Sequence, residues 1–106
     1  MDWTPELGAE ARHVPEASTV IADSRVAHYW DPDTLLGNAF RGTLGSTRPV
    51  WDVWMVFDRE TTWRESNPPE PAWWEHQLEG LPLELRLDPD RFAGRAAELL
   101  ERQGSL

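Results

Sequence analysis

The sequence predicts an α/β fold, a small mixed β-sheet flanked by helices, and three observations lead there. Residues 50–57 form a nearly continuous apolar run, as expected of a strand covered on both faces. Two Asp-Pro-Asp triplets, at residues 31–33 and 88–90, each precede apolar residues at helical spacing. The 106 residues fit a single domain and are too few for two cores. At this length folding removes about two thirds of the unfolded surface, enough for a hydrophobic interior without staples.

Residues 1–17 read as a lead-in segment. Thr4, Pro5 and Glu6 supply an N-cap, a first helical position and an acid in the first turn, predicting a short helix over 5–12 that Pro15 closes. A turn at residues 22–24 then introduces residues 25–30, whose strand formers predict a strand. Asp31 is placed to cap the following helix, with Pro32 in its first position and Asp33 facing its positive end. Leu36, Ala39 and Phe40 recur at i, i+3 and i+4, and Gly42 or Gly45 closes the helix. Residues 49–57 are the strongest strand signal and should be central in the sheet.

From residue 58 to 71 the chain turns polar and proline-rich, a surface loop held by Trp63. Residues 72–78 predict a short helix opened by Pro71 and followed by Gly80, with Trp74 and Leu78 on one face. Leu81, Leu83, Leu85 and Leu87 alternate with other residues, the pattern of a half-buried strand, and Pro82 puts that strand near an edge. Asp88-Pro89-Asp90 opens a last helix with Phe92, Ala96, Leu99 and Leu100 as its apolar stripe and Gly104 just past its end.

Composition excludes several chemistries. The absence of cysteine removes disulfides, thiolate nucleophiles and Cys-ligated zinc. All ten basic residues are Arg, so lysine Schiff bases and P-loop lysines are excluded too. A formal charge of -9 repels phosphate backbones and anionic lipid, so neither nucleic acid nor membrane is the expected partner. No apolar run is long enough to span a bilayer and no leader pattern is evident, which makes the cytoplasm the expected compartment. No cofactor or metal is expected.

From Val26 through Trp30-Asp31-Pro32-Asp33, Leu36-Gly37-Asn38-Ala39-Phe40 and Pro49-Val50-Trp51 to Phe57-Asp58-Arg59, the chain resembles the later half of a thioredoxin-like or peroxiredoxin-like domain. In that family a strand ends in a short acidic turn, a small helix follows, and a proline introduces the next central strand. Residues 83–87 and 92–100 resemble its closing strand and helix. The resemblance implies a thioredoxin-like sheet, truncated at its first strand, and a cis bond before Pro49. The family's redox cysteines have no counterpart here, so no catalytic residue carries over.

Three groups of residues are candidate sites. Trp63, Trp73 and Trp74, three of seven tryptophans, lie with Arg64 in and beside the proline-rich loop; Trp and Arg dominate binding hot spots. Their plainer role is to anchor the loop on the sheet. Asp52 interrupts the most apolar strand and must find a partner such as Arg25, Arg48 or Arg86, shift its pKa, or act as a functional acid. His28 and His76, with Asp31, Asp33 and Glu75, have the chemistry of a metal or acid-base site but no enforcing spacing. Glu75 and His76 diverge on a helix, and Asp31 and Asp33 suit a helix start. The expected function is that of a non-catalytic module binding a protein partner or a copy of itself through Trp63, Arg64, Trp73 and Trp74. The alternative is a small enzyme or metal-binding protein using Asp52 with His28 or His76.

Overall fold

Two short ribbons and three helices make up the computed structural model, which describes residues 1–5, 8–17, 19, 23–64 and 68–104. Strand β1 (Asp2–Trp3) pairs in parallel with β2 (Tyr29–Trp30), Asp2 opposite Tyr29 and Trp3 opposite Trp30. Between them a 3-10 turn at Ala11–His13 runs into α1 (Val14–Ala17). The helix expected over 5–12 is thus displaced toward the C-terminus, and its residues 6 and 7 lie outside the described ones. Pro15 sits inside α1 instead of closing it, at a first-turn position whose N–H has no intrahelical partner to lose. The strand expected over 25–30 shrinks to its last two residues because Asp23 turns the chain. Its carboxylate accepts the Arg25 N–H at 2.8 Å, and its carbonyl accepts the Val26 N–H at 3.0 Å.

Helix α2 (Leu35–Thr43) begins later than the proline suggested. Residues 31–34 first make a turn, closed by Thr34 N–H on the Asp31 carbonyl at 3.2 Å, and Thr34 takes a left-handed φ of 52°. Asp31 still caps the helix, accepting the N–H groups of Leu35 at 2.8 Å and Leu36 at 3.0 Å. Gly45, at φ 73°, reverses the chain at the other end, where Ser46 N–H reaches back to the Arg41 carbonyl at 2.8 Å.

Strand β3 (Val53–Val56) pairs antiparallel with β4 (Trp73–His76) in the register Val53 to His76 through Val56 to Trp73. One mixed sheet is therefore replaced by two two-stranded sheets, one parallel and one antiparallel. The central strand expected at 49–57 is shorter and is hydrogen-bonded to a single named strand. Asp52, at φ 55°, breaks the extended run just before it. The Arg48–Pro49 bond is trans, contrary to the cis bond that the family resemblance implies.

Residues 73–76 are a strand where the sequence suggested a helix: pairing with β3 overrides a local preference that four residues express only weakly. Residues 83–85, expected within a strand, form a 3-10 turn, and Leu83 is 80 % exposed despite the alternation around it. Only Arg86 keeps a strand-like bridge, to His76, with the Leu87 N–H on the His76 carbonyl at 2.8 Å. Helix α3 (Pro89–Gly104) matches its prediction closely and runs through Gly104. Asp88 caps it, accepting the N–H groups of Asp90 and Arg91 at 3.1 and 3.2 Å. Leu99 is buried as expected, but Leu100 is 72 % exposed.

Phe40, Leu44 and Val50 form the buried centre, with Leu36, Val53, Met55, Phe57, Trp74 and Leu78 packed around it. This cluster fastens α2 to the β3–β4 ribbon. Gly37 permits the closest approach: a Cβ there would stand 2.2 Å from the Val50 carbonyl oxygen, and Val50 N–H bonds to the Gly37 carbonyl at 3.1 Å. Phe40 is also the ring that Trp63 meets edge-on.

Candidate functional site

The chain leaves β3 at residue 57 and returns at β4 through the proline-rich loop. Thr61 N–H closes a turn on the Asp58 carbonyl at 3.0 Å, and the Thr43 hydroxyl of α2 donates to the Pro68 carbonyl at 3.4 Å. Between these ties Trp63 meets Phe40 edge-on, with ring centroids 5.5 Å apart and planes at 81°. The contact holds one side of the indole on α2, yet 45 % of the residue stays exposed, and Arg64 beside it is exposed as well. A large aromatic that meets Phe40 edge-on and stays partly exposed, next to an exposed Arg, has the composition of an interface anchor.

Trp73 and Trp74 do not join that surface. As neighbours on a strand they point to opposite faces of β4. Trp74 packs against the Phe40 cluster, its ring 5.8 Å from that of His76. Trp73 faces α3, where the Arg95 guanidinium lies 4.6 Å and that of Arg91 5.8 Å from its ring centroid. Its indole N–H donates to Glu75 at 2.7 Å.

Glu75 is the hub of this face and is fully buried. Besides Trp73 it accepts the Asp88 N–H at 2.7 Å and the Arg91 Nε–H at 2.9 Å, and Arg91 spends another N–H on the Arg86 carbonyl at 2.7 Å. Burial opposes its charge, but the bonds from Arg91, the Asp88 N–H and Trp73 outweigh that and hold the carboxyl below its ordinary pKa. Sequence reasoning missed this hub because it placed Glu75 on a helix. The available signals were Trp73 and Glu75 two apart, as on one strand face, and Arg91 and Arg95 four apart on one helix face.

Of the acid-base and metal candidates, both histidines already accept hydrogen bonds, and the register sets Val53, next to Asp52, opposite His76. His76 is buried; its Nδ1 accepts the Leu78 N–H at 3.0 Å, so by this pattern Nε2 carries the hydrogen and donates to the Pro82 carbonyl at 2.8 Å. Nδ1 of His28 accepts the Trp3 indole N–H at 3.0 Å, the two rings stacked 6.0 Å apart. Asp52 gives its carbonyl to the Gln77 N–H at 3.2 Å. Two of its expected partners are bound elsewhere: Arg25 pairs with Asp23 at 2.7 Å, and Arg86 donates to the Leu78 carbonyl at 3.1 Å. Among the described residues no three His, Cys, Asp or Glu side chains gather as metal ligands.

A second buried carboxylate lies at the other end of the molecule. Asp31 is held below its ordinary pKa, burial again opposing and the N–H groups of Leu35 and Leu36 and a bond from Asp2 prevailing. Asp2, absent from every sequence-based site, is pushed up to about 7 by partial burial and by the hydrogen bond to and charge of Asp31, with the Met1 ammonium acting the other way. A two-residue strand carries too little pattern to announce itself. Among the described residues no helix is long and apolar enough to cross a membrane. In comparisons with known proteins, no family model, no curated protein and no solved structure matches the chain.

Proposed function

We propose that the chain is a binding or assembly module that docks on a protein, either another one or a second copy of itself, through Trp63 and Arg64, with no catalysis of its own. The observation that carries this reading is the half-exposed Trp63 ring held edge-on by Phe40.

Trp73 and Trp74 serve this reading from beneath, fixing the β3–β4 ribbon from which the loop springs. The charge of -9 favours a protein partner over nucleic acid or a lipid surface, and a cysteine-free chain suits the cytoplasm. The thioredoxin-like kinship would make this a redox-silent relative. The order of α2, β3 and α3 supports it; the missing cysteines, the trans Arg48–Pro49 bond and the single named neighbour of β3 are departures from it. Docking through Trp63 stands without that kinship.

The test pairs sedimentation velocity across a wide concentration range with a photo-reactive phenylalanine analogue in place of Trp63. Either a concentration-dependent shift abolished by Trp63→Ser, or a discrete protein adduct at position 63 abolished by Arg64→Ser, is the expected result. A monomer at every concentration that forms no adduct would overturn the reading.

A further inference from the structure

We propose that the His76 imidazole is an acid-sensitive clasp: neutral, it closes the loop that joins β4 to the 3-10 turn at Leu83–Leu85, and its protonation opens that loop. The two ring nitrogens grip the loop at both ends. Nδ1 accepts the Leu78 N–H at 3.0 Å, and Nε2 meets the Pro82 carbonyl at 2.8 Å. Only a neutral ring serves both partners, because an N–H needs an acceptor, a carbonyl needs a donor, and an imidazolium donates from both nitrogens. The residue is fully buried, and Gly80, at φ 82°, lets the chain reverse between the two grips.

An added proton has one place to go, Nδ1, where it points at the Leu78 N–H. The clasp then loses a bond and holds a cation away from water. Among the described residues no carboxylate forms an ion pair with the ring. On β4 itself Glu75 points to the opposite face, where Arg91, the Trp73 indole and the Asp88 N–H occupy it. Arg91 and Arg95 of α3 lie over Trp73 on that same opposite face. β3 carries no ionisable side chain, and across the Phe40 cluster the only one in α2 is Arg41. Asp52, half-buried just before β3, is the one acid whose charge works against opening. In the loop segment Glu79 and Glu84 are exposed, while Arg86 donates to the Leu78 carbonyl at 3.1 Å, setting a cation on the very residue that His76 grips.

Relief comes by opening the loop to water. Besides the clasp, the loop is tied by the Arg86 bond, by Leu78 against the Phe40 cluster and by buried Leu81. The β3–β4 ladder and the Leu87 N–H on the His76 carbonyl are backbone bonds that a charge on the ring leaves in place, so the opening is local. It uncovers Leu78 and Leu81 beside Leu83, which is already exposed, and turns the loop into an apolar surface in acid. An imidazole in water becomes charged near about pH 6.5. Because the closed form excludes that proton and the open form accepts it, opening grows as pH falls below that value, by at most about tenfold per unit.

Nitrogen NMR of the imidazole rings and amide hydrogen exchange, corrected for intrinsic rates, test the clasp in the full chain. At about pH 7.5 the His76 ring should carry its hydrogen on Nε2. From there to about pH 5 the Leu78 amide should open at least about tenfold more often. At every pH it should open more often than the Val50 amide, which is bonded to the Gly37 carbonyl in the core and reports global unfolding. His76→Gln should flatten the Leu78 profile, since a carboxamide can replace both grips and takes no further proton. The chain has three histidines, so the double variant His13→Gln, His28→Gln should keep the slope and assigns it to His76 even if His76→Gln does not fold. A hydrogen on Nδ1 at pH about 7.5, a flat wild-type profile, Leu78 opening only as often as Val50, or a slope that survives in His76→Gln or vanishes in the double variant would each overturn the clasp.

Discussion

Glu75 and Asp31 are both buried carboxylates, and each serves the start of a helix: Glu75 accepts the N–H of Asp88, the cap of α3, and Asp31 accepts the first two N–H groups of α2. Their surroundings differ in what balances the charge. Glu75 faces a cation, Arg91 at 2.9 Å, whereas the acid beside Asp31 is Asp2, which partial burial and Asp31 itself push up to about 7. Isolation of an anion from water is costly, and either a guanidinium or a proton can offset it. Arg91 stays charged across the accessible pH range, so the α3 end is altered only in acid. Asp2, pushed up to about 7, changes charge nearer neutrality than Glu75 or Asp31, so the α2 end is the one whose balance of charge varies there.

The largest effect should come from breaking the cation-balanced site. Glu75→Ala leaves Arg91, the Trp73 indole and the Asp88 N–H without their acceptor, and should lower unfolding stability by about 3 kcal/mol, read from the urea midpoint. Arg91→Met keeps an apolar stem beside Trp73 while stranding the buried anion. It should cost about 2 kcal/mol, less than Glu75→Ala because two neutral donors remain on Glu75. If Arg91→Met proves neutral, the guanidinium is not what holds Glu75 in place.

Next comes the Asp31 site. Asp31→Ala removes a helix cap and should cost about 1 to 2 kcal/mol at mildly acidic pH, with hydrogen exchange rising first in the opening turn of α2. Asp31→Asn keeps an acceptor and should cost less. A cost for Asp31→Ala above that of Glu75→Ala would invert the comparison.

The same contrast explains what the sequence disclosed and what it hid. Asp88-Pro89-Asp90 was legible because its structure is local: the cap, proline and helix follow in consecutive positions. Asp31-Pro32-Asp33 was legible only in part. Asp31 caps as expected, but a left-handed Thr34 inserts a turn and delays α2, and nothing in that triplet announces it. Residues 73–76 were misread because their strand exists by pairing with a segment about twenty residues away. That error concealed Glu75 and set Trp73 and Trp74 beside Trp63 on one imagined surface. Of the four residues expected to bind, Trp63 and Arg64 remain exposed, Trp63 meeting Phe40 edge-on.

The smallest effect is the most discriminating, because the two sites contribute to pH dependence with opposite sign. Glu75 and Asp31 titrate below their ordinary values of 4.5 and 3.8; their contributions are present above those values and vanish as pH falls through the folded ones. Asp2 titrates above its ordinary 3.8, so its contribution is complete below that pH and is lost as pH rises toward about 7. Stability should therefore peak in the mildly acidic range and decline gently on the neutral side. Since Asp2 is largely in water, screening keeps that decline under about 1 kcal/mol. Asp2→Asn should abolish the neutral decline and leave the acid one intact, checked by urea midpoints across the pH range. A neutral decline that survives in Asp2→Asn would assign it to another group and leave the two carboxylates balanced alike.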